Sequence, residues 1–469
     1  MLRPSELVKL LEEDQSLLAF KFGSKGHLIW PLVRFQVILE ILNEQNDLGN
    51  ARSESKVSLY QIVKTLVQSF SKPPTSIRNK SILFFNSGIT NVLNQEGRYF
   101  NRITDYFYFE IENQAALIED TADKHLRWPR VHKNVYAHLP LRLKSAISRK
   151  MYKPKLNLDD SLIIKELLES IGFKIGRLLQ EKTWKRIRDI IERNCLEFQS
   201  SIQTYVEFFK AKRPKIIFVE DGSYGSRSYI IVAAHSLKIP VAELQHGFVN
   251  EEHHAYNLGQ GLLNTKVVKD YYPDYLLMYG DFWSSAVKIL GQKIVIGNPF
   301  LSEKLAALKP KVADNQILFL SSGITFQETS AFLSRLIPYA INKGFTLTLR
   351  PHPLEMKQAN EKYSALIKQG LIIDKESDLY ESISRSKMIV GETSTALFEA
   401  MAVKVPVFLF NSSYTRTYIT EGIKIPKITI ENIESIFNPY SFDMNDLSGY
   451  FWANSWKANF GEFIKRYIE

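Results

Sequence analysis

The feature that most constrains the fold is an alternation of short apolar runs with amphipathic segments from residue 215 to residue 410. The apolar runs are predicted to be buried strands, because they are short and bounded by glycine, proline or charged residues. The amphipathic segments between them are predicted helices. Strands that alternate with helices at this spacing form a parallel sheet with both faces covered.

The alternation occurs twice and is interrupted at Gly297-Asn-Pro299, a plausible hinge. Before the interruption we predict strands at 215–220, 240–246, 274–280 and 294–297, and helices at 227–237 and 282–290. After it we predict strands at 316–321, 346–350, 388–391 and 405–410, and helices at 328–341, 359–370, 379–384 and 395–402. Elsewhere we predict helices within 5–47, 57–70 and 162–209, strands at 81–88 and 106–111, and a largely helical tail at 430–469.

A chain of 469 residues is too long for one ordinary hydrophobic core. We therefore predict an α/β protein with two domains, 1–298 and 299–469. The first has a helical N-terminal extension, and the second carries the terminal helices. The carboxyl ends of the strands of both domains are expected to face each other across a deep cleft, where open α/β sheets bind their ligands.

Net charge is +10, and much of it is concentrated in a basic arm at 124–155. This segment contains ten Lys or Arg residues and no Asp or Glu. Such a segment suits an anionic partner, either a phospholipid surface or a pyrophosphate-linked lipid acceptor. A solvated basic loop explains it equally well. Nucleic acid is the least favoured partner, because no module that binds it is recognisable in the rest of the chain. We therefore expect no nucleic-acid partner.

The single cysteine, Cys195, excludes an intramolecular disulfide and indicates a reducing compartment. The first residues lack the pattern of a secretory signal, and no run is long and apolar enough to span a membrane. We therefore expect a cytoplasmic protein, with peripheral contact at the inner face of the cell membrane as an option.

The acidic pair Glu220-Asp221 follows the predicted strand at 215–220. Either carboxylate could act as a general base that takes the proton of an acceptor hydroxyl, because two neighbouring carboxylates raise each other's pKa. The alternative is an acidic pair at the start of a loop that is solvated or caps the helix at Ser226. His246, in Gln245-His-Gly247 at another strand end, is a rival general base.

Two further motifs follow strands of the second half. In Arg350-Pro-His352-Pro, the flanking prolines fix the backbone, and His352 could contact a donor phosphate. Glu392-Thr-Ser394-Thr395 opens a helix, whose free backbone N–H groups and dipole suit phosphate oxygens. Ser394 could equally be an N-cap residue. The loop Ser321-Ser322-Gly323 is another phosphate-binding candidate.

A metal site is not expected. The cluster of Glu251, Glu252, His253 and His254 contains ligand types, but adjacent histidines point in different directions on any regular element. The chain also lacks an Asp-x-Asp motif, which argues against a metal bridged to a diphosphate. No cofactor is expected either.

Together, Glu220-Asp221-Gly222, His352-Pro353 and Ser394-Thr395 resemble the acidic, His-Pro and Ser-Thr motifs of bacterial sialyltransferases and polysialyltransferases. Gln245-His-Gly247 and the stretch 272–280 look more like capsule and lipopolysaccharide transferases, a wider group that includes enzymes using CMP-linked Kdo and, more distantly, CDP-glycerol. The resemblance covers about residues 215 to 410.

This resemblance implies a GT-B fold of two facing Rossmann-like domains, with the acceptor bound by the first and the nucleotide sugar by the second. It implies Asp221 as the base. It assigns His352, Ser394 and Thr395 to the donor phosphate or nucleotide, with Arg350 and Glu392 beside them in the same motifs. Retaining GT-B enzymes commonly carry two glutamates eight positions apart; here Glu392 and Glu399 are seven apart, which favours inversion.

The predicted function is transfer of a sugar from a nucleotide-activated donor, CMP-linked by preference, to a surface polysaccharide or lipid-linked glycan without a metal ion. Three alternatives remain open. They are a CDP-glycerol-type polyol-phosphate transferase on the same scaffold, a sugar-nucleotide epimerase of GT-B shape, and a non-catalytic protein that binds a sugar nucleotide or a glycan.

Overall fold

A computed structural model describes residues 2–45, 58–94, 96–152, 156, 158–176, 179–308, 314–353, 355–419, 423, 425–438 and 444–468. In chain order, the helices of the first half are α1 (Pro4–Glu12), α2 (Trp30–Gln45), α3 (Leu59–Ser71), α4 (Asp105–Glu110), α5 (Leu139–Tyr152), α6 (Leu158–Ile175), α7 (Glu181–Lys212), α8 (Ser228–His235), α9 (Gln260–Leu263) and α10 (Asp281–Ser285). Its strands are β1 (Lys21–Phe22), β2 (His27–Leu28), β3 (Ile82–Asn86), β4 (Asn91–Leu93), β5 (Tyr99–Asn101), β6 (Ala115–Glu119), β7 (Val135–Ala137), β8 (Ile216–Val219), β9 (Val241–Leu244), β10 (Tyr275–Met278) and β11 (Gln292–Val295).

The second half follows the same alternation. Its helices are α11 (Pro299–Ala307), α12 (Phe326–Asn342), α13 (Ala359–Lys362), α14 (Ser364–Lys368), α15 (Leu379–Arg385), α16 (Thr395–Ala402), α17 (Ser413–Tyr418), α18 (Met444–Phe451) and α19 (Trp456–Ile468). Its strands are β12 (Asp314–Leu320), β13 (Thr346–Arg350), β14 (Ile372–Ile373), β15 (Ser386–Gly391), β16 (Val407–Phe410) and β17 (Lys427–Ile428).

Each half contains one parallel sheet with the same order of strands. The first sheet runs β11-β10-β9-β8-β3-β6-β7 and the second β14-β13-β12-β15-β16-β17. In both, the first three strands extend one way and the later strands extend the other way, so the direction reverses between β3 and β8 and between β12 and β15. This is the Rossmann order, and the crevice at the reversal point is where such sheets bind ligands. The predicted fold class, a GT-B arrangement of two Rossmann-like domains with a helical tail, is confirmed.

Apolar strands buried on both faces hold each sheet. All five residues of β3 and of β6 are buried, and β8 and β9 are buried along their whole length. Such continuous burial requires helices on both sides of the sheet, because an exposed face would alternate with polar residues. None of the described helices is long and apolar enough to cross a membrane.

The predicted strand at 106–111 is wrong, since these residues form α4. Its alternating Tyr and Phe residues favour a strand by propensity alone. In the structure, however, the ring of Phe107 packs against Trp456 and Phe460, with ring centroids 5.6 and 4.7 Å apart. The strand that joins β3 is instead β6, which follows this helix.

The terminal helix α19 lies on the first half, although the sequence grouped it with the second. Its residues Trp456, Phe460, Phe463 and Ile464 belong to one apolar cluster with residues of β3, β6, β8 and β9. The apolar face of α19 therefore covers the first sheet, and the chain crosses between the halves twice.

The basic arm is also more ordered than a solvated loop. Its described part contains β7 and α5, and several of its charges are paired. Arg130 is buried and binds Asp105 with both carboxylate oxygens, at 2.8 and 3.0 Å. Arg142 binds Asp120 at 3.0 Å, and Lys144 binds Glu207 at 2.9 Å. Lys153 and Lys155 of the arm lie outside the described residues.

Phe460 tests the packing of α19 on the first sheet, since its side chain is fully buried. We expect Phe460→Ala to lower the free energy of unfolding by about 3–5 kcal/mol, the cost of a large cavity in a core. Glu462→Ala, an exposed position of the same helix, should change it by less than about 0.5 kcal/mol. Urea unfolding followed by fluorescence measures both. Equal effects of the two variants would show that α19 does not contribute to this core.

Candidate active site

The carboxyl ends of the first sheet bring together the residues that the sequence singled out in this half. Asp221 follows β8, at the point where the strand order reverses, and His246 follows the neighbouring β9. Asp221 has a left-handed backbone (φ 59°), in which the strand turns directly into the 3-10 turn Gly222–Tyr224. Asp tolerates this conformation better than most residues. The Nε2 atom of His246 lies 3.5 Å from Oδ1 of Asp221.

Glu220 does not take the catalytic role that the acidic pair suggested. Its side chain is buried and accepts hydrogen bonds from the backbone N–H and the hydroxyl of Ser87, both at 2.8 Å, and from the hydroxyl of Thr90 at 2.9 Å. These bonds fasten the loop after β3 to the end of β8. Since both carboxylate oxygens are already occupied, Glu220 is a structural anchor.

His246 is held by a chain of hydrogen bonds that leads to a buried carboxylate. The hydroxyl of Tyr256 donates to Oε1 of Glu243 at 2.8 Å, and its oxygen lies 3.3 Å from Nδ1 of His246. The other oxygen of Glu243 accepts from the backbone N–H and hydroxyl of Ser223 at 3.0 and 2.5 Å. The hydroxyl hydrogen of Tyr256 is used in the bond to Glu243. The hydroxyl oxygen can therefore only accept a hydrogen bond from His246, and this requires a proton on Nδ1. The network therefore assigns the proton of a neutral imidazole to Nδ1 and the lone pair to Nε2.

The charge state of Glu243 controls this arrangement. Burial raises the pKa of Glu243 to about 7, although the hydrogen bond from Ser223 and the nearby His246 oppose the shift. Above that pH the carboxylate accepts the Tyr256 proton as described. Below that pH, Glu243 is a carboxylic acid with a proton of its own to donate. The direction of the hydrogen bonds from Glu243 through Tyr256 to His246 is then no longer fixed.

A second histidine lies on the other side of the Tyr224 hydroxyl. This hydroxyl is 3.1 Å from Nε2 of His246 and 3.3 Å from Nε2 of His253. Burial, helped by the neighbouring His246, lowers the pKa of His253 to about 3, so its ring stays neutral. The hydroxyl of Tyr224 can therefore donate a hydrogen bond to either ring. When it donates to His253, Nε2 of His246 is available to another donor.

Glu252 and His254 of the His/Glu cluster are used structurally. Glu252 accepts hydrogen bonds from the backbone N–H and hydroxyl of Ser5, both at 2.9 Å. Nε2 of His254 lies 3.2 Å from the carbonyl oxygen of Phe35. These contacts fasten α1 and α2 to the loop after β9.

In the second half, the predicted phosphate loop is tied to two buried carboxylates. The hydroxyl of Ser321 donates to Glu355 at 2.7 Å and accepts from the backbone N–H of Gly323 at 3.1 Å. Ser322 donates to Glu392, and its oxygen accepts from the N–H of Ile324 at 3.1 Å. Because both hydroxyls are occupied, the loop does not present the open cradle that the sequence suggested.

Glu392 is the centre of a group of hydroxyls and is not itself exposed to the cleft. It is buried and accepts from Ser322, Thr325 and Ser412. Ser322 follows β12 and Glu392 follows β15, so this cluster closes the reversal point of the second sheet. Like Glu220, Glu392 is therefore a structural anchor that holds the neighbouring loops in place.

Arg350 is the last residue of β13, the neighbour of β12, and His352 follows this strand. The guanidinium of Arg350 donates to Asp374 at 2.6 Å and to the hydroxyl of Ser382 at 3.1 Å, which joins the ends of β13 and β14 to α15. The backbone N–H of His352 donates to Glu355 at 3.2 Å, and burial lowers the pKa of the His352 ring. His352 thus shares Glu355 with the Ser321 loop, whereas Arg350 serves as a structural link.

Ser394 and Thr395 begin α16. Ser394 is the N-cap residue, with its hydroxyl accepting from the N–H of Leu397 at 3.3 Å. Ser394 therefore caps α16, and its role toward a phosphate stays a prediction. Thr395 lies at the contact between the halves, because a Cβ atom added to Gly247 would be 3.5 Å from its hydroxyl oxygen.

A small cavity of about 10 Å³, with room for about one water molecule, lies between the two groups of residues. His246 and Thr395 line it from opposite halves, and Arg102, Tyr279 and Glu399 complete its polar wall. The hydroxyl of Tyr380 donates to Glu399 at 3.0 Å, and burial raises the pKa of Glu399, although Arg102 opposes the shift. The predicted cleft is thus narrow, with a base candidate on one side and a helix start on the other.

The search of known sequences found no protein family and no curated protein that matches this chain. Some solved structures are similar at low identity. UDP-GlcNAc 2-epimerase from Methanocaldococcus jannaschii has 11% identity and a TM-score of 0.44, with 82% of this chain and 99% of that chain covered. The lipopolysaccharide outer core galactosyltransferase WaaB has 12% identity, a TM-score of 0.41 and coverage of 82% and 99%. The calicheamicin glycosyltransferase CalG4 has 11% identity, a TM-score of 0.44 and coverage of 84% and 99%.

The function is inferred from the geometry of the site itself. Sequence reasoning found Asp221, His246 and Thr395 in it but missed Glu243 and Tyr256. A carboxylate inside the apolar strand β9 was the available signal for Glu243. Tyr256 lies in an irregular segment, and nothing in the sequence singles it out.

The raised pKa of Glu243 predicts a pH dependence of stability. The folded state keeps this proton up to pH about 7, and the unfolded state releases it near the ordinary value of 4.5. Between those values the folded state binds more protons, so the free energy of unfolding falls as pH rises, by about 3 kcal/mol in all. Glu243→Gln has no such proton, and its curve should lack this fall.

Urea unfolding between pH 4.5 and pH 8, at constant ionic strength, measures the two curves. Glu251→Gln is the matched control, because Glu251 is exposed on the loop after β9 and should leave the wild-type pH profile unchanged. Parallel profiles of the wild type and Glu243→Gln would contradict a raised pKa at Glu243.

Proposed function

We propose that this chain is a glycosyltransferase that moves a sugar from a nucleotide-activated donor to a hydroxyl of a glycan acceptor. The observation that carries the proposal is the cavity between the halves, with His246 on the first and Thr395 at the start of α16 on the second. A base on one wall and a phosphate-binding helix start on the other are the two parts that such a transfer requires.

In this proposal His246 is the base, in preference to Asp221. The acceptor hydroxyl gives its proton to Nε2 of His246 while its oxygen attacks the anomeric carbon of the donor. The bond from that carbon to the donor phosphate breaks, and its electron pair leaves with the phosphate oxygen. Asp221, 3.5 Å from Nε2, stabilises the imidazolium that forms. Tyr256 and Glu243 keep the ring in the orientation in which Nε2 is available.

The leaving phosphate is proposed to lie at the start of α16, where the hydroxyl of Thr395 and the first N–H groups of the helix supply donors, apart from the N–H of Leu397, which Ser394 caps. Arg102 lines the same cavity and adds a positive charge opposite the helix start. His352 would reach the nucleotide from the end of β13, which lies two strands from β15 in the second sheet. Developing negative charge would then be stabilised by groups of the protein itself, and an inverting, metal-independent displacement fits this arrangement.

The donor and the acceptor follow from the resemblance of the motifs rather than from the cavity. It favours a CMP-linked sugar as donor and a surface polysaccharide or lipid-linked glycan as acceptor. A lipid-linked acceptor would require the enzyme to work at a membrane, on the inner face of the cell membrane in this proposal.

A nucleotide screen tests the donor half of the proposal. We expect CMP to raise the melting temperature more than CDP, UDP or GDP at equal concentration, because a ligand stabilises the folded state according to its affinity. Release of the nucleotide from the matching sugar donor should then depend on an added acceptor. Donor consumption without an acceptor would favour an epimerase, and binding without turnover would favour a non-catalytic protein.

Substitutions at the two base candidates test the acceptor half. We expect His246→Gln to reduce the turnover rate about 10²–10⁴-fold, the usual contribution of a general base, with donor affinity unchanged. Asp221→Asn should have a smaller effect, because it removes a charge near the imidazolium but not the proton acceptor. Tyr256→Phe, which breaks the link to Glu243, should lie between them.

Steady-state kinetics with saturating donor and a titration of acceptor give the comparison. A larger loss in Asp221→Asn than in His246→Gln would make Asp221 the base. Near-normal turnover in His246→Gln would remove His246 from the mechanism.

A further inference from the structure

The helix α3 has its amphipathic pattern reversed relative to a normal surface helix. Its small polar residues Thr65 and Ser69 face the protein, with exposures of 4% and 0%. Its apolar residues face outward with exposures between 37% and 76%; they are Leu59, Tyr60, Ile62, Val63, Leu66, Val67 and Phe70. An exposed apolar stripe of this length is a surface that a partner covers, because soluble proteins seldom expose contiguous apolar patches of such size.

The reversed helix is well formed and firmly placed. Ser58 caps it and forms a capping box with Gln61. It contacts α5 and the edge strand β7, and the chain after it is fastened by hydrogen bonds, from the N–H of Ala137 to the carbonyl of Lys72 at 3.0 Å and from the ammonium of Lys72 to the carbonyl of Lys133 at 2.9 Å. The outward apolar face is therefore a fixed part of the surface.

The chain that follows this face is basic and lacks acidic residues, whereas Glu54 precedes the helix. Residues 58 to 81 contain Lys64, Lys72, Arg78 and Lys80 but no Asp or Glu, and the basic arm at 124–155 also has none. The arm includes α5, the helix on which α3 packs. Beyond α3, an open groove is lined by Arg78, Lys80, Lys212 and Arg213 and by no acidic residue.

An apolar stripe bordered by basic residues fits the interface of an anionic bilayer. The apolar side chains enter the boundary between headgroups and acyl chains, and the lysines and arginines meet the anionic headgroups. A second copy of the chain fits less well. A twofold dimer through α3 would bring the same basic borders face to face, and like charges repel.

We propose that α3 docks this protein on an anionic membrane by inserting its apolar face, with the surrounding basic residues contacting the lipid headgroups. α5 begins at Leu139, directly after the carboxyl end of β7. The docked surface thus continues to the edge of the sheet that carries Asp221 and His246. The inference does not depend on the chemistry proposed for the cavity, because it concerns binding alone.

Vesicle sedimentation tests the proposal with the full chain. We expect the wild type to bind vesicles of equimolar phosphatidylcholine and phosphatidylglycerol and to bind pure phosphatidylcholine at least about tenfold more weakly. The triple variant Val63→Gln, Val67→Gln, Phe70→Gln should bind the mixed vesicles about a hundredfold more weakly, because three apolar side chains no longer enter the bilayer. Circular dichroism and melting temperature should be unchanged, since these side chains are exposed.

The matched control removes three exposed apolar side chains from other elements, in Phe173→Gln, Val267→Gln, Ile341→Gln. It should bind as the wild type does. Equal binding by the α3 variant and this control would overturn the assignment to α3. Equal binding of the wild type to both kinds of vesicle would overturn the role of the basic residues. A wild-type dimer that the α3 variant converts to a monomer, with no vesicle binding, would overturn the membrane as the partner.

A label at the centre of the stripe gives a second measurement. Cys195 is fully buried, and burial raises its pKa, so the native thiol reacts poorly. Val67→Cys can therefore be labelled selectively with an environment-sensitive fluorophore. We expect its emission to shift to shorter wavelength on mixed vesicles, whereas an unchanged emission with bound protein would show that the face stays in water.

Discussion

Buried carboxylates at or near the carboxyl ends of the strands determine how both halves of this protein are built around the cleft. A carboxylate removed from water is costly unless hydrogen bonds replace its hydration, so each one fixes the groups that satisfy it. Glu220 holds the loop after β3, Glu243 holds Ser223 and Tyr256, and Glu392 joins the loops after β12 and β16. The loops that form the site are thereby positioned by the sheets beneath them.

The same bonds decide which polar groups remain for a ligand. A hydroxyl that donates to a buried carboxylate and accepts from the backbone, as in Ser321 and Ser322, has little capacity left for a phosphate. The cavity is lined instead by Thr395 and His246 and by Arg102. This explains why the proposed chemistry centres on these residues although the sequence offered several hydroxyl-rich loops. Anchors and reactive groups have similar compositions, and only burial separates them.

Sequence reasoning therefore recovered the fold better than the roles of single residues. The strand at 346–350 and the helix at 395–402 were predicted with the bounds that the structure has, because hydrophobic periodicity and turn residues are local signals. The strand at 106–111 failed because packing on α19, far away in the chain, decides its form. The sequence also correctly placed Asp221 and His246 at the carboxyl ends of strands. Glu220 and Asp221 look alike as neighbours in sequence, and only the partners of Glu220, from a distant loop, show that it is an anchor.

The placement of the two halves relative to each other depends on two segments that cross between them and lie side by side. The chain leaves the first half at Gly297 and returns through the segment that contains Ala453. A Cβ atom at Gly297 would be 2.7 Å from the carbonyl oxygen of Ala453, and the N–H of Ala453 donates to the carbonyl of Tyr279 at 2.8 Å. We expect any opening of the cleft to be a rotation about these two adjacent crossings. Such a rotation would have to separate Phe248 from Phe398, whose ring centroids are 5.1 Å apart. It would also move Thr395 away from Gly247 and His246. The narrow cavity and the apolar contact beside it are therefore parts of one closed arrangement, in which the base candidate and the start of α16 are brought together.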